Sequence, residues 1–492
     1  MKDLKQRALR GGLARIISQA SVLVLRTGSL MIMARLLVPK DFGLVGMVTA
    51  VIGVFAVFRD FGLSAAVIQR VTITKEQSST LFWINLLVGA ILSTLTVATG
   101  PFVAAFYHEP RLVGVTAALA TAFLFNSAGV QHSAHLEREM RFVALSLMDI
   151  LSLIVSIAIG ITMALHGLGY WSLVATPTIT PLVYTIGVWM ISGWVPGRPH
   201  RRAGIFSMMR FGGTLTLNGL VAYFAANLDK VLLGRFCGME ALGIYGRAYQ
   251  LTNIPTDSLN SAAGGVAFAA LSRIQNEPSR FRSYFLKGYS LILTLIVPIT
   301  LISAIFAPEI VRVFLGAKWV TAGPVFRRLA PITLAFAVLS PTGWMLAACG
   351  RVGRTLRIAL VMAPLLFAGY AIGLHWGPQG VATGYSVVML SAVLPLVAWA
   401  AYETPVSFKD FLLAISRPLI SGAAAAIAAG LVDFFFGAHL APLPRLIVGI
   451  TMIGLIYASM LLYVMKQKQF YLAVVRSLIS QPSPDESLPI SA

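Results

Sequence analysis

Long apolar segments recur along the whole chain, and they constrain its fold more than any other feature of the sequence. Runs of about 18 or more mostly uncharged residues follow one another, each long enough to cross a hydrocarbon core about 30 Å thick. Charged residues make up 11% of the chain, against about 25% in a soluble domain. Segments of alternating polarity typical of transmembrane β-strands are absent. The sequence therefore predicts an all-α, polytopic membrane protein.

The hydropathy pattern predicts about 14 transmembrane helices joined by short connections. The first apolar segment is of full spanning length and has no convincing cleavage site, so it is interpreted as an uncleaved helix. The expected segments are roughly 13–37, 43–68, 81–106, 112–133, 142–165, 169–192, 206–234, 241–270, 286–307, 323–348, 357–375, 379–401, 411–436 and 444–465.

Lysine and arginine are distributed unevenly between the two predicted sides. With the N-terminus inside, 25 of the 38 lysines and arginines fall on the inner side and nine on the outer side. Because short positively charged loops stay in the cytoplasm, both termini are predicted to be cytoplasmic. The net charge of +20 is accordingly attributed to this bias and not to nucleic-acid binding.

A basic segment at 193–202, rich in proline and glycine, follows the sixth predicted helix and indicates a linker. It predicts four parts. These are a six-helix lobe at 1–195, a second six-helix lobe at 203–405, two extra transmembrane helices at 406–470 and a cytoplasmic tail at 471–492.

The two lobes carry a faint sequence repeat. The first helical hairpin, whose turn is expected at 40–43, contains Gly43 and Gly46, and these recur 200 residues later as Gly243 and Gly246. Because both lobes begin on the same side, the repeat is predicted to be parallel, related by an axis along the membrane normal.

Polar side chains within the spans concentrate on the first two helices of each lobe. An ionisable group at a helix centre costs roughly 2.5–3.5 kcal/mol on insertion scales, so it usually faces water or a partner. Spacings of three and four place the polar residues of a helix on one face, which predicts a water-filled cationic cavity. The polar set is Arg15, Gln19 and Arg26 on helix one, Arg59 and Asp60 on helix two, Asn218 and Asp229 on helix seven, and Tyr245, Arg247, Tyr249, Gln250 and Asp257 on helix eight.

A purely structural role stays open for each of the charged positions. Arg26, which has no carboxylate beside it in the sequence, could extend along its helix to a lipid headgroup. Arg247 could do the same toward the outer surface. The remaining roles are an ion pair for Arg59 and Asp60, a pair for Asp229 and Lys230, although adjacent helical residues do not face each other, and a hydrogen-bonded structural carboxylate for Asp149.

The sequence offers no pattern for a cofactor, a metal or a catalytic constellation. His132 and His135 lack the HExxH spacing and are expected in a solvated inner loop. Cys237 and Cys349 lie in different segments, so neither a CxxC site nor a disulfide is expected. With no P-loop either, the chain is predicted not to be an enzyme and to need no cofactor.

Six motifs occur in order along residues 1 to about 400, and together they resemble the polysaccharide transporter (oligosaccharide flippase) family, in its exopolysaccharide and colanic-acid-type branch. They are ARLLVPKDFGLVGM at 34–47, DFGLSAAVIQR at 60–70, TLFWIN at 80–85, LEREMRF at 136–142, ALGIYGRAYQL at 241–251 and APEIVRVFLGAKW at 307–319.

This resemblance implies the multidrug/oligosaccharidyl-lipid/polysaccharide exporter fold, with helices one, two, seven and eight around a central cavity. It implies that the protein flips undecaprenyl-pyrophosphate-linked oligosaccharides across the bacterial inner membrane, for exopolysaccharide, capsule or lipopolysaccharide O-antigen assembly. A glycan polymerase or export complex is the implied partner. The implied pyrophosphate and glycan positions are Arg26, Arg59, Arg247, Gln19, Asn218, Tyr245 and Tyr249, and the ion-coupling candidates are Asp60, Asp229 and Asp257.

Three competing functions stay open. A cell-wall lipid-precursor flippase and a cation-coupled multidrug exporter would share the fold. The arginine-rich stripe disfavours the multidrug exporter, which would need an acidic cavity for cationic substrates. A membrane glycan polymerase would need a sizeable outer loop with catalytic groups, and the predicted outer loops are short.

Overall fold

The computed structural model of the chain describes residues 2–58, 74–200, 206–436, 441–469 and 471–472. Within these ranges the regular structure is helical, with no β-strand, which confirms the predicted fold class. The helices are α1 (Lys2–Leu36), α2 (Pro39–Phe58), α3 (Lys75–Tyr107), α4 (Leu112–Arg138), α5 (Phe142–Leu165), α6 (Trp171–Ser192), α7 (Phe206–Arg273), α8 (Pro278–Ile305), α9 (Ala307–Phe314), α10 (Ala322–Ala348), α11 (Val352–Gly373), α12 (Gly377–Ala401), α13 (Phe408–Phe436) and α14 (Pro442–Ser459).

The described helices match the expected membrane segments closely. Eleven helical stretches of the described chain are long and apolar enough to cross a bilayer. The seventh and eighth predicted segments both lie in α7, and α9 is a short helix of 8 residues that the hydropathy pattern does not show. The protein is therefore a multi-pass membrane protein.

Helix α7 is a hairpin and not a straight rod. A straight helix separates residues 16 positions apart by about 24 Å, yet the Tyr245 hydroxyl donates to Asp229 Oδ2 at 2.7 Å. The chain reverses at Gly238, whose φ of 84° and ψ of 178° fall where glycine is favoured. The predicted outer turn of the second lobe is thus a single residue.

The first hairpin turns earlier than predicted. Its expected turn at 40–43 is wrong, because α1 ends at Leu36 and α2 begins at Pro39. Proline suits the first position of a helix, and Asp41 accepts a hydrogen bond from the Val38 amide at 3.2 Å, as an acidic third residue does at a helix start. Gly43 consequently lies inside α2.

The interpretation of His132 as part of a solvated loop is also wrong. Helix α4 continues to Arg138, and His132 is fully buried in it. Its ring stacks on Trp189 with centroids 4.5 Å apart, and its Nδ1 lies 2.8 Å from Ser192 Oγ. The basic residues that follow in the sequence suggested a loop, whereas they extend the helix.

The chain folds as two compact units, each assembled from three separate stretches of the sequence. The predicted division into lobes near residues 195–203 stays a prediction. The first unit comprises Met1–Tyr249, Phe314–Val325 and Ala359–Tyr385, and the second comprises Gln250–Val313, Phe326–Ile358 and Ser386–Ala492.

In the first unit, small residues let helices approach closely. Helix α3 packs on α4, and α4 packs on α6. At these crossings a Cβ atom on Gly89 would overlap the Ser127 hydroxyl, and one on Gly129 would lie 2.6 Å from Thr185 Oγ1. This is the packing expected in a membrane, where association depends on close van der Waals contact.

In the second unit, ion pairs stabilise the ends of helices. Arg282 Nε donates to Asp410 Oδ2 at 2.7 Å, which joins α8 to the start of α13. Arg351, just before α11, donates through Nη1 to Glu403 Oε2 on the loop after α12 at 2.7 Å. This hydrogen bond holds the pKa of Glu403 below its usual value.

Arg445 joins three helices of the second unit. Its guanidinium makes two hydrogen bonds of 2.6 Å with the Asp433 carboxylate of α13, and Nη1 lies 2.9 Å from Glu309 Oε1 of α9. Glu309 is buried. Arg445 thereby ties the α13–α14 hairpin to α9.

We expect Arg445→Met to destabilise this hairpin, because it leaves two carboxylates without their cation. Loss of a partner to a buried polar group costs about 1–3 kcal/mol, and more for a charged one. Thermal unfolding of the detergent-purified protein measures the effect. Arg280→Met is the matched control, because its pair with Glu277 is exposed and should contribute less than about 1 kcal/mol. Equal melting temperatures for the two variants would contradict the assignment.

Candidate substrate and coupling site

The polar residues at the start of α1 lie on an open surface. Arg15, Gln19 and Arg26 have exposed side chains, whereas Leu30 and Met33 farther along α1 are buried. Arg26 therefore has no packing role that would explain an arginine within a membrane helix.

Helix α1 is held against α5, which places a carboxylate near Arg26. The Ser18 hydroxyl donates to the Ser146 carbonyl at 3.5 Å, and Asp149 follows one turn later on α5. Asp149 is thus a carboxylate on the helix that packs against the stripe. Sequence reasoning missed this proximity because it depends on which helix packs against α1.

Arg15, at the N-terminal end of the stripe, has an ionic partner. Arg15 Nη2 lies 3.7 Å from Glu137 Oε1 at the end of α4. Arg26 lacks such a contact within 4 Å among the described residues, so of the two arginines it is the one more available to an anionic ligand.

A second polar cluster surrounds Asp229 in α7. The Asp229 side chain is 1% exposed and accepts hydrogen bonds from the Tyr245 hydroxyl at 2.7 Å and the Lys230 amide at 2.8 Å. The sequence suggested a pair between Asp229 and Lys230. In the structure, Lys230 Nζ donates a hydrogen bond to Asn227 Oδ1 at 2.8 Å. The cluster therefore combines a buried carboxylate with a nearby ammonium group.

Tyrosine rings enclose this cluster. Lys230 Nζ lies 4.6 Å from the centroid of the Tyr249 ring, and Tyr249 stacks with Tyr245 and Tyr385 at 6.1 Å and 6.4 Å. The Tyr245 side chain is fully buried. Its hydroxyl is therefore engaged with Asp229 in this conformation, and glycan binding by Tyr245 and Tyr249 stays a prediction.

Arg247 packs against Phe42 at the start of α2. Its guanidinium carbon is 4.7 Å from the centroid of the Phe42 ring, which is the geometry of a cation–π contact. Its buried Nε has no hydrogen-bond acceptor among the described residues. Arg247 is thus held by an aromatic face and keeps donor capacity for an anion.

The segment that follows α9 covers the end of α1. Trp319 Nε1 donates to the Ala34 carbonyl at 2.8 Å, and Lys318 Nζ donates to the Arg35 carbonyl at 3.1 Å. The last carbonyls of a helix have no partner within the helix, so these donors cap α1. Trp319 also packs edge-on against Phe42, at 5.1 Å between centroids.

The start of α2 and the second half of α7 cross each other through glycines. A Cβ atom on Gly43 would overlap the Met239 carbonyl oxygen, and one on Gly243 would overlap the Pro39 carbonyl oxygen. Pro39 and Met239, like Gly43 and Gly243, are 200 residues apart, so the contact is reciprocal. The repeated glycines therefore allow the close approach of these two helical segments in this conformation.

The side chains of the other predicted site residues lie outside the part of the chain that the structure describes. Arg59 and Asp60 lie outside the described residues. Asn218 lies in α7 before the break at Gly238, and Asp257 lies in α7 after it. Their assignments to substrate or ion coupling stay predictions.

The fold is that of a helical, multi-pass membrane protein, with an exposed cationic stripe on α1 and a buried acid–ammonium cluster in α7. The chain matches the family described as "Polysaccharide biosynthesis protein" over residues 32–324, which is more than half of its length. The protein belongs to that family, which confirms the resemblance drawn from the sequence motifs.

Three curated relatives are similar over most of their length. The teichuronic acid biosynthesis protein TuaB of Bacillus subtilis (strain 168) is 29% identical over 380 residues, covering 75% of this chain and 77% of TuaB. The lipopolysaccharide biosynthesis protein WzxC of Escherichia coli (strain K12) is 24% identical, covering 85% of both chains. The succinoglycan biosynthesis transport protein ExoT of Rhizobium meliloti (strain 1021) is 22% identical, covering 91% of both.

Two solved structures share the fold. The lipid II flippase MurJ in an inward closed conformation matches with a TM-score of 0.74 at 14% identity, covering 95% of this chain and 100% of MurJ. An inward-facing multidrug resistance MATE family transporter of the MOP superfamily matches with a TM-score of 0.61 at 13% identity, covering 77% of this chain and 93% of that one. The architecture is thus that of known membrane transporters.

Proposed function

We propose that this protein flips polyprenyl-pyrophosphate-linked oligosaccharide repeat units across the bacterial cytoplasmic membrane, for the assembly of a surface polysaccharide. Family membership carries the proposal, together with relatives named for the biosynthesis or transport of teichuronic acid, lipopolysaccharide and succinoglycan. The protein acts as a transporter and not as an enzyme, with both termini in the cytoplasm.

The open arginine stripe supports this substrate class. A pyrophosphate carries at least two negative charges, and guanidinium groups bind phosphate oxygens in a planar, bidentate manner. Arg26 supplies such a group on an exposed helix face, and Arg247 keeps an unused donor. In the proposed cycle the pyrophosphate and glycan enter the cavity, the lipid tail stays in the bilayer, and the two lobes rock to give alternating access.

A cell-wall lipid-precursor flippase is the second candidate, because the MurJ architecture covers nearly the whole chain. That similarity shows the fold alone. The two candidates differ in the lipid-linked sugar that each would move.

A deletion strain separates the candidates. We expect loss of the gene to leave its lipid-linked oligosaccharide unit at the inner leaflet, while the cell-wall precursor is flipped normally. Radiolabelled lipid extracts, with enzymatic access from each side of membrane vesicles, measure the location. Re-expression of the wild-type gene is the control and should restore export.

Two other outcomes of this experiment would each contradict the proposal. Accumulation of the cell-wall precursor would identify the second candidate. Accumulation of the oligosaccharide unit at the outer leaflet would indicate a polymerase, which uses the unit after it has crossed. A polymerase is otherwise the proposed partner that receives the flipped unit.

A further inference from the structure

Two of the sequence motifs contact each other in the structure. The motif at 34–47 begins with Ala34 in α1, and the motif at 307–319 ends with Trp319. Trp319 Nε1 donates to the Ala34 carbonyl at 2.8 Å. None of the candidate substrate or ion-coupling residues lies in the 307–319 motif, so its contact with α1 serves another purpose.

Residues 315–319, between α9 and α10, form a turn that packs on the end of α1. The turn includes Gly316, whose φ of 95° falls where glycine is favoured. The Trp319 amide donates to the Gly316 carbonyl at 3.2 Å, which closes the turn. A Cβ atom on Gly316 would lie 3.4 Å from Arg35 Cγ. The turn is therefore in direct contact with the last turn of α1.

This turn supplies the caps of α1 from a distant part of the chain. Lys318 Nζ donates to the carbonyls of Arg35 and Leu36 at 3.1 Å and 3.3 Å. Together with the Trp319 bond, these contacts join residues that are 282 to 285 positions apart. A helix that is capped by the residues that follow it keeps its cap when it moves. A cap from a distant segment is lost when the two separate, so these bonds tie α1 to residues 315–319.

Trp319 also reaches α2 and, through it, α7. Its side chain is fully buried and packs edge-on against Phe42, with 5.1 Å between the ring centroids. The same Phe42 ring contacts the Arg247 guanidinium, whose carbon lies 4.7 Å from the ring centroid. Movement of Trp319 away from α1 would therefore also remove a neighbour of the ring that holds Arg247.

We propose that residues 315–319 form a latch, which holds the α1–α2 hairpin and the second half of α7 together at the end of the molecule predicted to face outward. The latch must release before this end can open. Trp319 is its central residue, because it contacts both α1 and α2. The role of the latch in transport rests on the proposed function, whereas its contacts can be tested on the purified protein without a substrate.

Amide hydrogen exchange of the detergent-purified full-length protein measures local opening and tests the latch. Trp319→Phe keeps an aromatic ring but removes the indole donor, and Lys318→Met removes the ammonium donor. The net contribution of one hydrogen bond corresponds to roughly a 2- to 10-fold change in an equilibrium. We expect each variant to exchange roughly 2- to 10-fold faster at the end of α1, at the start of α2 and around Arg247.

Two control variants make the same chemical changes at exposed positions. Trp376→Phe is the match for Trp319→Phe, because Trp376 is 70% exposed. Lys409→Met is the match for Lys318→Met, because Lys409 is exposed. Both controls should exchange as the wild type does at the latch contacts. The α13–α14 hairpin is the internal reference and should be unchanged in every variant.

Three results would overturn the proposal. Wild-type exchange rates in both latch variants would show that the contact holds nothing in place. Faster exchange in the last turn of α1 alone would show a helix cap and no latch, because α2 and α7 would then be held independently. Faster exchange throughout, with the α13–α14 hairpin included, would show a general loss of stability.

The test does not depend on one variant or on the identity of the substrate. If Trp319→Phe fails to fold, Lys318→Met decides by the same criteria. A protein that does not flip a glycan would show the same exchange rates, so failure of the proposed function and failure of the latch are distinguishable.

Discussion

Arg26→Ala is expected to abolish glycan export while the protein stays folded and inserted. The Arg26 side chain is exposed on α1, so its truncation removes no packing. A charged partner lost from a desolvated ion pair costs about 2 kcal/mol or more, which corresponds to at least roughly a 30-fold loss of substrate affinity. Surface polysaccharide made by a deletion strain carrying the variant measures the effect, with membrane levels of the protein quantified alongside.

Two further variants of α1 make the Arg26 result interpretable. Arg26→Lys keeps the charge but loses the planar fork that matches two phosphate oxygens, so it should export at an intermediate rate. Val24→Ala is the matched control, because Val24 is 70% exposed on the same helix and carries no charge, and it should export normally. Normal export by a well-expressed Arg26→Ala protein would remove Arg26 from the substrate path.

Gly43→Ala is expected to disfavour the conformation in which the start of α2 and the second half of α7 cross. The added Cβ atom would overlap the Met239 carbonyl oxygen, which belongs to the backbone and cannot rotate away. Overpacking of this kind costs about 1–3 kcal/mol, which shifts an equilibrium between conformations by roughly 5- to 150-fold. Faster amide hydrogen exchange around Leu37 and Gly238, together with reduced export, would report the shift.

The symmetry of this contact supplies its own controls. Gly243→Ala should resemble Gly43→Ala, because its Cβ would overlap the Pro39 carbonyl oxygen. Gly246→Ala should behave as the wild type, because its Cβ position has no atom within 4 Å. Equal amide exchange rates and equal export by the Gly43→Ala and Gly246→Ala variants would show that the crossing has no part in the transport cycle.

The helices are predictable from the sequence because the length of an apolar run is a local property. The first turn is not, because Pro39 suggests the interruption of a helix, whereas proline is also suited to begin one. The burial of His132 cannot be predicted from its own helix either. Its ring stacks on Trp189, which belongs to a second helix.

The site is predictable only where a pattern lies within one helix. The polar stripe that contains Arg26 follows from the helical period, and its side chains are exposed on α1. The relation of Arg26 to Asp149 depends on the packing of α1 against α5. The contact between the Lys230 ammonium group and the Tyr249 ring likewise depends on the reversal of the chain at Gly238, which brings the two halves of one hairpin together.

The reciprocal glycine contact also limits how the two halves of the chain can diverge. After a duplication, most positions of the copies are free to change independently. Gly43 and Gly243 would be an exception, because each accommodates a backbone carbonyl from the equivalent segment of the predicted repeat. Neither copy can accept a larger residue there unless both turns move apart. This mutual constraint agrees with the predicted sequence repeat, in which both glycines occur 200 residues apart.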